Sequence, residues 1–271
     1  MGNRRNTLVV FVTVAVVTAV AQPTRGQGLI WSLPEDGTWV RYEGTLTQED
    51  VRPDSAQGNL TLEWIRHLVI KSVGTERAEF RGVMQLCRWL EIKAITGKPS
   101  ESGIDAGPAG ASIYKVLVPE SAIIGKPVGD DSIPISMIPI VKGFRRSGEG
   151  PVEDITARAL RVYPAITLLS HYEDATEGDS DDPQIPLGRV NAVYYSGEIE
   201  MERETSRSRN EAEFWISDEV PFGLAKWVVT VSREKKQRTD PRTDFALTTT
   251  LRVEMSMHEV GREAQSELSV P

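Results

Sequence analysis

Chemistry in this chain would have to come from a few groupings of residues. Ser112-Ile113-Tyr114-Lys115 fits the S-x-x-K pattern, in which a lysine one helical turn from a serine can activate it as a nucleophile. That geometry needs a helix. Residues Ser112 to Val118 instead alternate as a strand does, which sends Ser112 and Lys115 to opposite faces, and no K-T-G or S-D-N companion follows. A G-x-S-x-G elbow is absent. Glu198, Glu200, Glu202 and Glu204 recur at period two and so share one strand face. Paired carboxylates can do acid and base work, but such a row is also how an exposed strand blocks unwanted pairing, and no aromatic platform surrounds it.

His67, His171 and His258 are separated in sequence, without the spacings that put two imidazoles on one zinc. The acidic loop 173–182 carries Glu173, Asp174, Glu177, Asp179, Asp181 and Asp182, oxygens enough for calcium. It lacks the ordered spacing and closing glutamate of an EF-hand loop and reads as a solvated loop. Neither G-x-x-x-x-G-K-[ST] nor G-x-G-x-x-G occurs, which argues against nucleotide use. The expectation is a protein that is not an enzyme, with no catalytic residue, no metal ligand and no cofactor.

Aromatic surface remains. Of the six tryptophans, several fall in strand-like segments, and Trp39, Trp64, Trp89 and Trp227 are the candidate ligand-binding residues. Tryptophans so placed either fill a core or form an apolar surface that takes a hydrophobic ligand.

The elements that would position these residues are strands. Leu247, Thr249, Leu251, Val253, Met255 and Met257 alternate with Thr248, Thr250, Arg252, Glu254, Ser256 and His258, a set no helix keeps on one face. Ala225, Trp227, Val229 and Val231 repeat the pattern, as do Val40 and Tyr42 against Trp39, Arg41 and Glu43. Further β-rich segments run over Asn59 to Ser72, Ala78 to Cys87 and Arg88 to Lys98, with a hairpin turn expected at Gly74. Val220-Pro221-Phe222-Gly223 marks a second turn, between strands at Glu211 to Ser217 and Leu224 to Arg233. Hairpins throughout imply an antiparallel sheet. Ser121 to Pro151, rich in proline and glycine, reads as a long irregular crossover with helical turns at Pro119 to Ile124. Asp154 to Tyr163 has the cap and spacing of a short helix ended by Pro164.

Arg4 and Arg5, the apolar run Leu8 to Val20, and Ala19-Val20-Ala21 have the form of a signal peptide over residues 1–21. The run is too short for a membrane-spanning helix. Cleavage would remove two positive charges from a chain whose formal charge is already -8, which disfavours nucleic acid and anionic membrane surfaces as partners. Cys87 is the single cysteine and cannot form an internal bridge; it reads as a small buried hydrophobe.

The signal peptide, the opening strand Trp39-Val40-Arg41-Tyr42-Glu43, the long strands to Lys98 and the strand pair around Val220-Pro221-Phe222-Gly223 together resemble the periplasmic lipoprotein-carrier family and its exported relatives. The likeness is one of order and pattern and spans most of Trp39 to Val260. It implies a half-barrel of antiparallel strands with helices on the concave side. The expected architecture is therefore mainly β: one domain over residues 29–260, built on a large curved antiparallel sheet, half-barrel or open barrel, with one or two short helices. A disordered polar tail over 261–271 would follow. The expected function is that of an exported non-enzymatic protein, periplasmic or extracellular, binding a hydrophobic ligand, lipid or lipidated partner on its curved sheet. The alternative is a structural or protein-interaction module of the cell envelope that engages an envelope protein.

Overall fold

The computed structural model describes residues 29–101, 103–123, 137–160, 163–172 and 176–269. The expected signal peptide, residues 1–21, lies outside them. The strands are β1 (Trp39–Asp50), β2 (Leu60–Phe80), β3 (Val83–Ser100), β4 (Gly103–Asp105), β5 (Ser112–Pro119), β6 (Ile138–Pro139), β7 (Lys142–Ser147), β8 (Glu153–Asp154), β9 (Ala159–Leu160), β10 (Thr176–Asp181), β11 (Gln184–Ile185), β12 (Gly188–Arg189), β13 (Ala192–Glu202), β14 (Ser206–Ile216), β15 (Leu224–Lys235) and β16 (Ala246–Gly261). Two short helices, α1 (Glu120–Ile123) and α2 (Tyr163–Thr167), accompany them.

One sheet of twelve strands dominates, in the order β10-β13-β14-β15-β16-β1-β2-β3-β5-β7-β8 with β4 beside β3. Neighbours are antiparallel throughout, and the two ends do not meet, so the sheet is an open half-barrel. This is the mainly β architecture that alternation predicts. β1, early in the chain, is flanked by β2 and by the last strand, β16, which ties both halves of the chain into one sheet.

Alternation decides the two faces. On the inner face Val40, Tyr42, Leu68, Ile70, Leu90, Ile92, Val116, Trp227, Val229, Val253 and Met255 are buried in a single apolar cluster. Full burial of one such aliphatic side chain contributes about 1.5–3 kcal/mol. The protein's own chain covers this face. Trp31 packs on Phe214 and Tyr195, with ring centroids 5.7 and 6.0 Å apart, and Tyr42 meets Trp227 edge-on at 5.1 Å. The C-terminal end of α2 and the residue after it are held by side chains of the sheet: Trp227 Nε1 donates to the Thr167 carbonyl at 3.2 Å, Asn210 Nδ2 to that of Leu168 at 2.8 Å, and Arg66 to that of Ile166. Burial pushes the Arg66 guanidinium down to about 10.

Several local expectations are revised. Gly74, at φ +122°, is a bulge within β2 and not a hairpin turn; the turn lies at Arg81 and Gly82, both with positive φ, as a two-residue hairpin loop requires. The β2–β3 hairpin is consequently one long arm. Asp154 to Tyr163 takes in the last residue of β8 and the whole of β9, with 161–162 outside the described residues and α2 at Tyr163–Thr167, because pairing with β7 and β6 outweighs helical spacing. Within the acidic loop, Thr176–Asp181 forms edge strand β10 against β13, while 173–175 lie outside the described residues. The crossover holds α1 and strand β7, with 124–136 outside the described residues. The turn at Val220 to Gly223 is where the sequence places it, with the Gly223 amide donating to the Val220 carbonyl at 3.1 Å.

The tail differs most from expectation. Leu268 is fully buried, and Ser266, Glu267 and Leu268 are hydrogen-bonded to the outer face of the sheet, so this segment is docked and not a solvated extension.

Candidate functional site

Strand parity separates the four candidate tryptophans. Trp227 is buried in the inner core, and Trp64 stands on the same face toward the far end of β2, half-buried, with Lys98 Nζ 5.4 Å from its ring. Trp39 and Trp89 face outward, Trp39 against Gly261 and Trp89 stacked on Phe144 at 6.2 Å. They do not form one surface. Cys87 is a free, buried thiol, and burial raises its pKa.

The other motifs are dispersed as well. Ser112 and Lys115 alternate along β5, and Lys115 Nζ donates to the Leu268 carbonyl at 3.2 Å. Glu198 and Glu200 pair with Arg209 at 3.0 and 3.2 Å, Glu202 with Arg242 and Glu204 with Arg238. One grouping was not legible in the sequence: His67 and His258 both approach Glu43, at 3.6 and 3.5 Å, with Arg41 at 3.2 Å. Burial lowers the His67 pKa, Glu43 pulls it upward, and Arg41 and His258 push it down again. Among the described residues no group of three or more His, Cys, Asp or Glu side chains is disposed to hold a metal ion.

Two surfaces stand apart from this background. The first is the end of the β2–β3 arm. β1 pairs with β2 only as far as Lys71, and β5 with β3 only from Cys87, so Glu76 to Phe80 and Val83 to Leu86 pair with each other alone. Among the described residues no other strand pairs with this ribbon. Val83, Met84 and Leu86 are 61%, 55% and 45% exposed, three of the eight exposed large apolar residues among those described. Arg81 caps the tip with its guanidinium 4.9 Å from the Phe80 ring.

The second surface is the outer face of β1, β2, β3, β5 and β7. Register places Trp39, Lys71, Glu91, Lys115 and Phe144 in one row across it, and Arg41, Val69, Lys93, Ile113 and Arg146 in the next. Five cations thus collect on one side of a chain with formal charge -8. The tail lies here, and Glu91 is fully buried beneath it. Burial by itself would raise the Glu91 carboxyl, but hydrogen bonds from the Glu267 amide, the Ser266 hydroxyl, the Leu268 amide and Lys71 hold it below the ordinary glutamate range.

Two open clefts add little apolar surface: one of about 590 Å³ beside Leu33, Glu35, Asp218 and Arg262, and one of about 570 Å³ beside Glu198, Glu211, Glu213 and Arg252. Both carry charged residues, unlike the apolar sites that take greasy ligands.

No family model matches this chain, and no curated protein matches it. Among solved structures it is similar to one from Parabacteroides distasonis, described there as a "putative lipoprotein", at 9% identity over 86% of this chain and 99% of that chain, with a TM-score of 0.32. No helix among the described residues is long and apolar enough to cross a membrane.

Proposed function

We propose that this is an exported, non-catalytic interaction module of the cell envelope, which engages a protein partner through the apolar end of its β2–β3 arm. The observation behind this reading is the arm itself: a two-stranded ribbon that outruns its neighbours and holds Val83, Met84 and Leu86 in solvent. Exposed apolar side chains on both faces of a projecting element, Met84 and Leu86 on one and Val83 beside Phe80 on the other, mark a contact surface. The dispersal of the polar motifs is consistent with a role that needs no reaction centre. A photo-crosslinker placed at Met84 tests the reading in the native envelope fraction. One stoichiometric adduct, lost when Val83, Leu86 and Phe80 are changed to serine, is the expected result; no adduct, or one that survives those changes, would refute it.

A second reading, binding of a lipid or other apolar molecule by the sheet, has one observation in its favour. At the far end of the inner face Leu46, Leu62, Trp64 and Leu251 are only half-buried, and register sets them side by side. Native mass spectrometry followed by organic extraction discriminates the two. A stoichiometric lipid would transfer the weight to this shelf.

A further inference from the structure

The segment that follows β16 turns at Glu263, whose φ is +62°, and its Ala264 amide donates to the Gly37 carbonyl at 2.8 Å. Beyond that point the sheet reads it group by group. The Glu91 carboxylate accepts from the Ser266 hydroxyl at 2.7 Å, from the Glu267 amide at 2.9 Å and from the Leu268 amide at 3.1 Å. Lys71 and Lys93 grip the Glu267 carboxylate at 2.6 and 2.7 Å. Lys71 also donates to the Gln265 carbonyl at 3.2 Å, and Lys115 to that of Leu268 at 3.2 Å. The Leu268 side chain fills a small apolar site made by Ile113, Phe144 and Trp89, with Lys115 and Lys142 over the indole at 5.7 and 5.8 Å.

Two features distinguish this from ordinary chain packing. The contacts to Ser266, Glu267 and Leu268 come from side chains of the sheet, while the backbone ladders of β2, β3 and β5 are complete with one another. Departure of the tail would therefore break no ladder bond. The contacts also discriminate: a hydroxyl, an acid and an aliphatic residue in succession each meet a complementary group.

We infer that the outer face of β2, β3 and β5 is a recognition site for an extended hydroxyl-acid-aliphatic segment of a partner protein, and that the chain's own tail is a resident competitor that keeps the site closed. The inference is independent of the arm. A tail tethered in cis competes at an effective concentration on the order of millimolar, so an incoming peptide binds the intact chain weakly. Freed of the tail, Glu91 and Lys71 would keep each other at 3.0 Å, while Lys93 and Lys115 would lose the partners the tail supplies.

The test uses the full chain carrying E267K and L268G, which sets a cation against Lys71 and Lys93 and takes the side chain out of the site made by Ile113, Phe144 and Trp89. The probe is a fluorescein-labelled peptide with the sequence of Glu263 to Pro271, read by anisotropy. The expected result is binding at least about tenfold tighter to this variant than to the unaltered chain, abolished by adding E91A. A scrambled peptide should not bind, and a library varied at the Ser266, Glu267 and Leu268 positions should return the hydroxyl-acid-aliphatic order. Circular dichroism establishes that the sheet is retained, and a chain ending at Glu263 serves as a second tail-free form. Failure of both folded forms to bind the peptide at millimolar concentration overturns the inference. So does equal binding of the scrambled peptide, or a library with no preferred order, since either reduces the site to a lysine-rich surface.

Discussion

The two faces of the same sheet are held in opposite ways. The inner face is apolar and continuous, and what lies on it is retained mainly by burial, with Trp31, Phe214, Tyr42 and Trp227 in contact from distant parts of the chain. The outer face around Glu91 is polar, and what lies on it is retained by directed hydrogen bonds and by one leucine. Burial is non-directional and tolerates sequence change, whereas a clasp of charges loses most of its strength when one member is removed. The inner face thus serves the fold, while the outer face holds its segment by directed contacts.

The comparison can be broken most severely from the inside. Trp227→Ala removes a fully buried ring that also donates to Thr167, and is expected to lower unfolding stability by about 3–5 kcal/mol. Urea unfolding measures this; a loss below 1 kcal/mol would mean that the inner face is not the principal core. Glu91→Ala acts on the outside and leaves the Glu267 and Leu268 amides without their acceptor and the Ser266 hydroxyl with only the Leu268 carbonyl, at a cost of about 1–3 kcal/mol. Its effect should concentrate in the tail, seen as lost hydrogen-exchange protection at Glu267 and Leu268 while Ile70 and Val253 stay protected. Equal loss at all four amides would show that the tail is integral to the sheet.

Acidification sharpens the same contrast. Glu91, against its own burial, and Glu267, likewise, are held by their donors below the ordinary glutamate value of 4.5. The docked tail therefore binds fewer protons than the released one, so docking is at full strength above 4.5 and weakens as the pH falls through the lowered values. Trp89 fluorescence followed from pH 7 downward should change in that window, before the inner core unfolds. A flat response there would remove the two carboxylates from the account of tail retention. The smallest effect belongs to the arm. Met84→Ser, at a side chain 55% exposed, should leave stability within about 0.5 kcal/mol of the unaltered protein, as measured by thermal unfolding.

Legibility in the sequence followed the range of the interaction. The alternation of Leu247 to His258 gave β16 and its buried members Val253, Met255 and Met257, because a strand's two faces are set by residues two apart. The arm was harder, since the bulge at Gly74 interrupts the alternation and looks like a turn. The docked tail was illegible: Leu268 is a lone aliphatic residue in a segment otherwise polar enough to read as solvated, and Glu91, the partner of Ser266, lies 175 residues earlier. For the same reason His67 and His258 look isolated in sequence, yet β1 between β2 and β16 brings both to Glu43.

Period-two patterning and the turn signals between strands alone determined that this chain forms an antiparallel sheet with one apolar face, because these follow from local backbone geometry and from the exclusion of apolar side chains from water. Tertiary structure alone decided which strands are neighbours, and with that everything on the outer face. Only registered strands place Lys71, Glu91 and Lys115 in one row, and only a chain that returns across that row gives the buried carboxylate its donors.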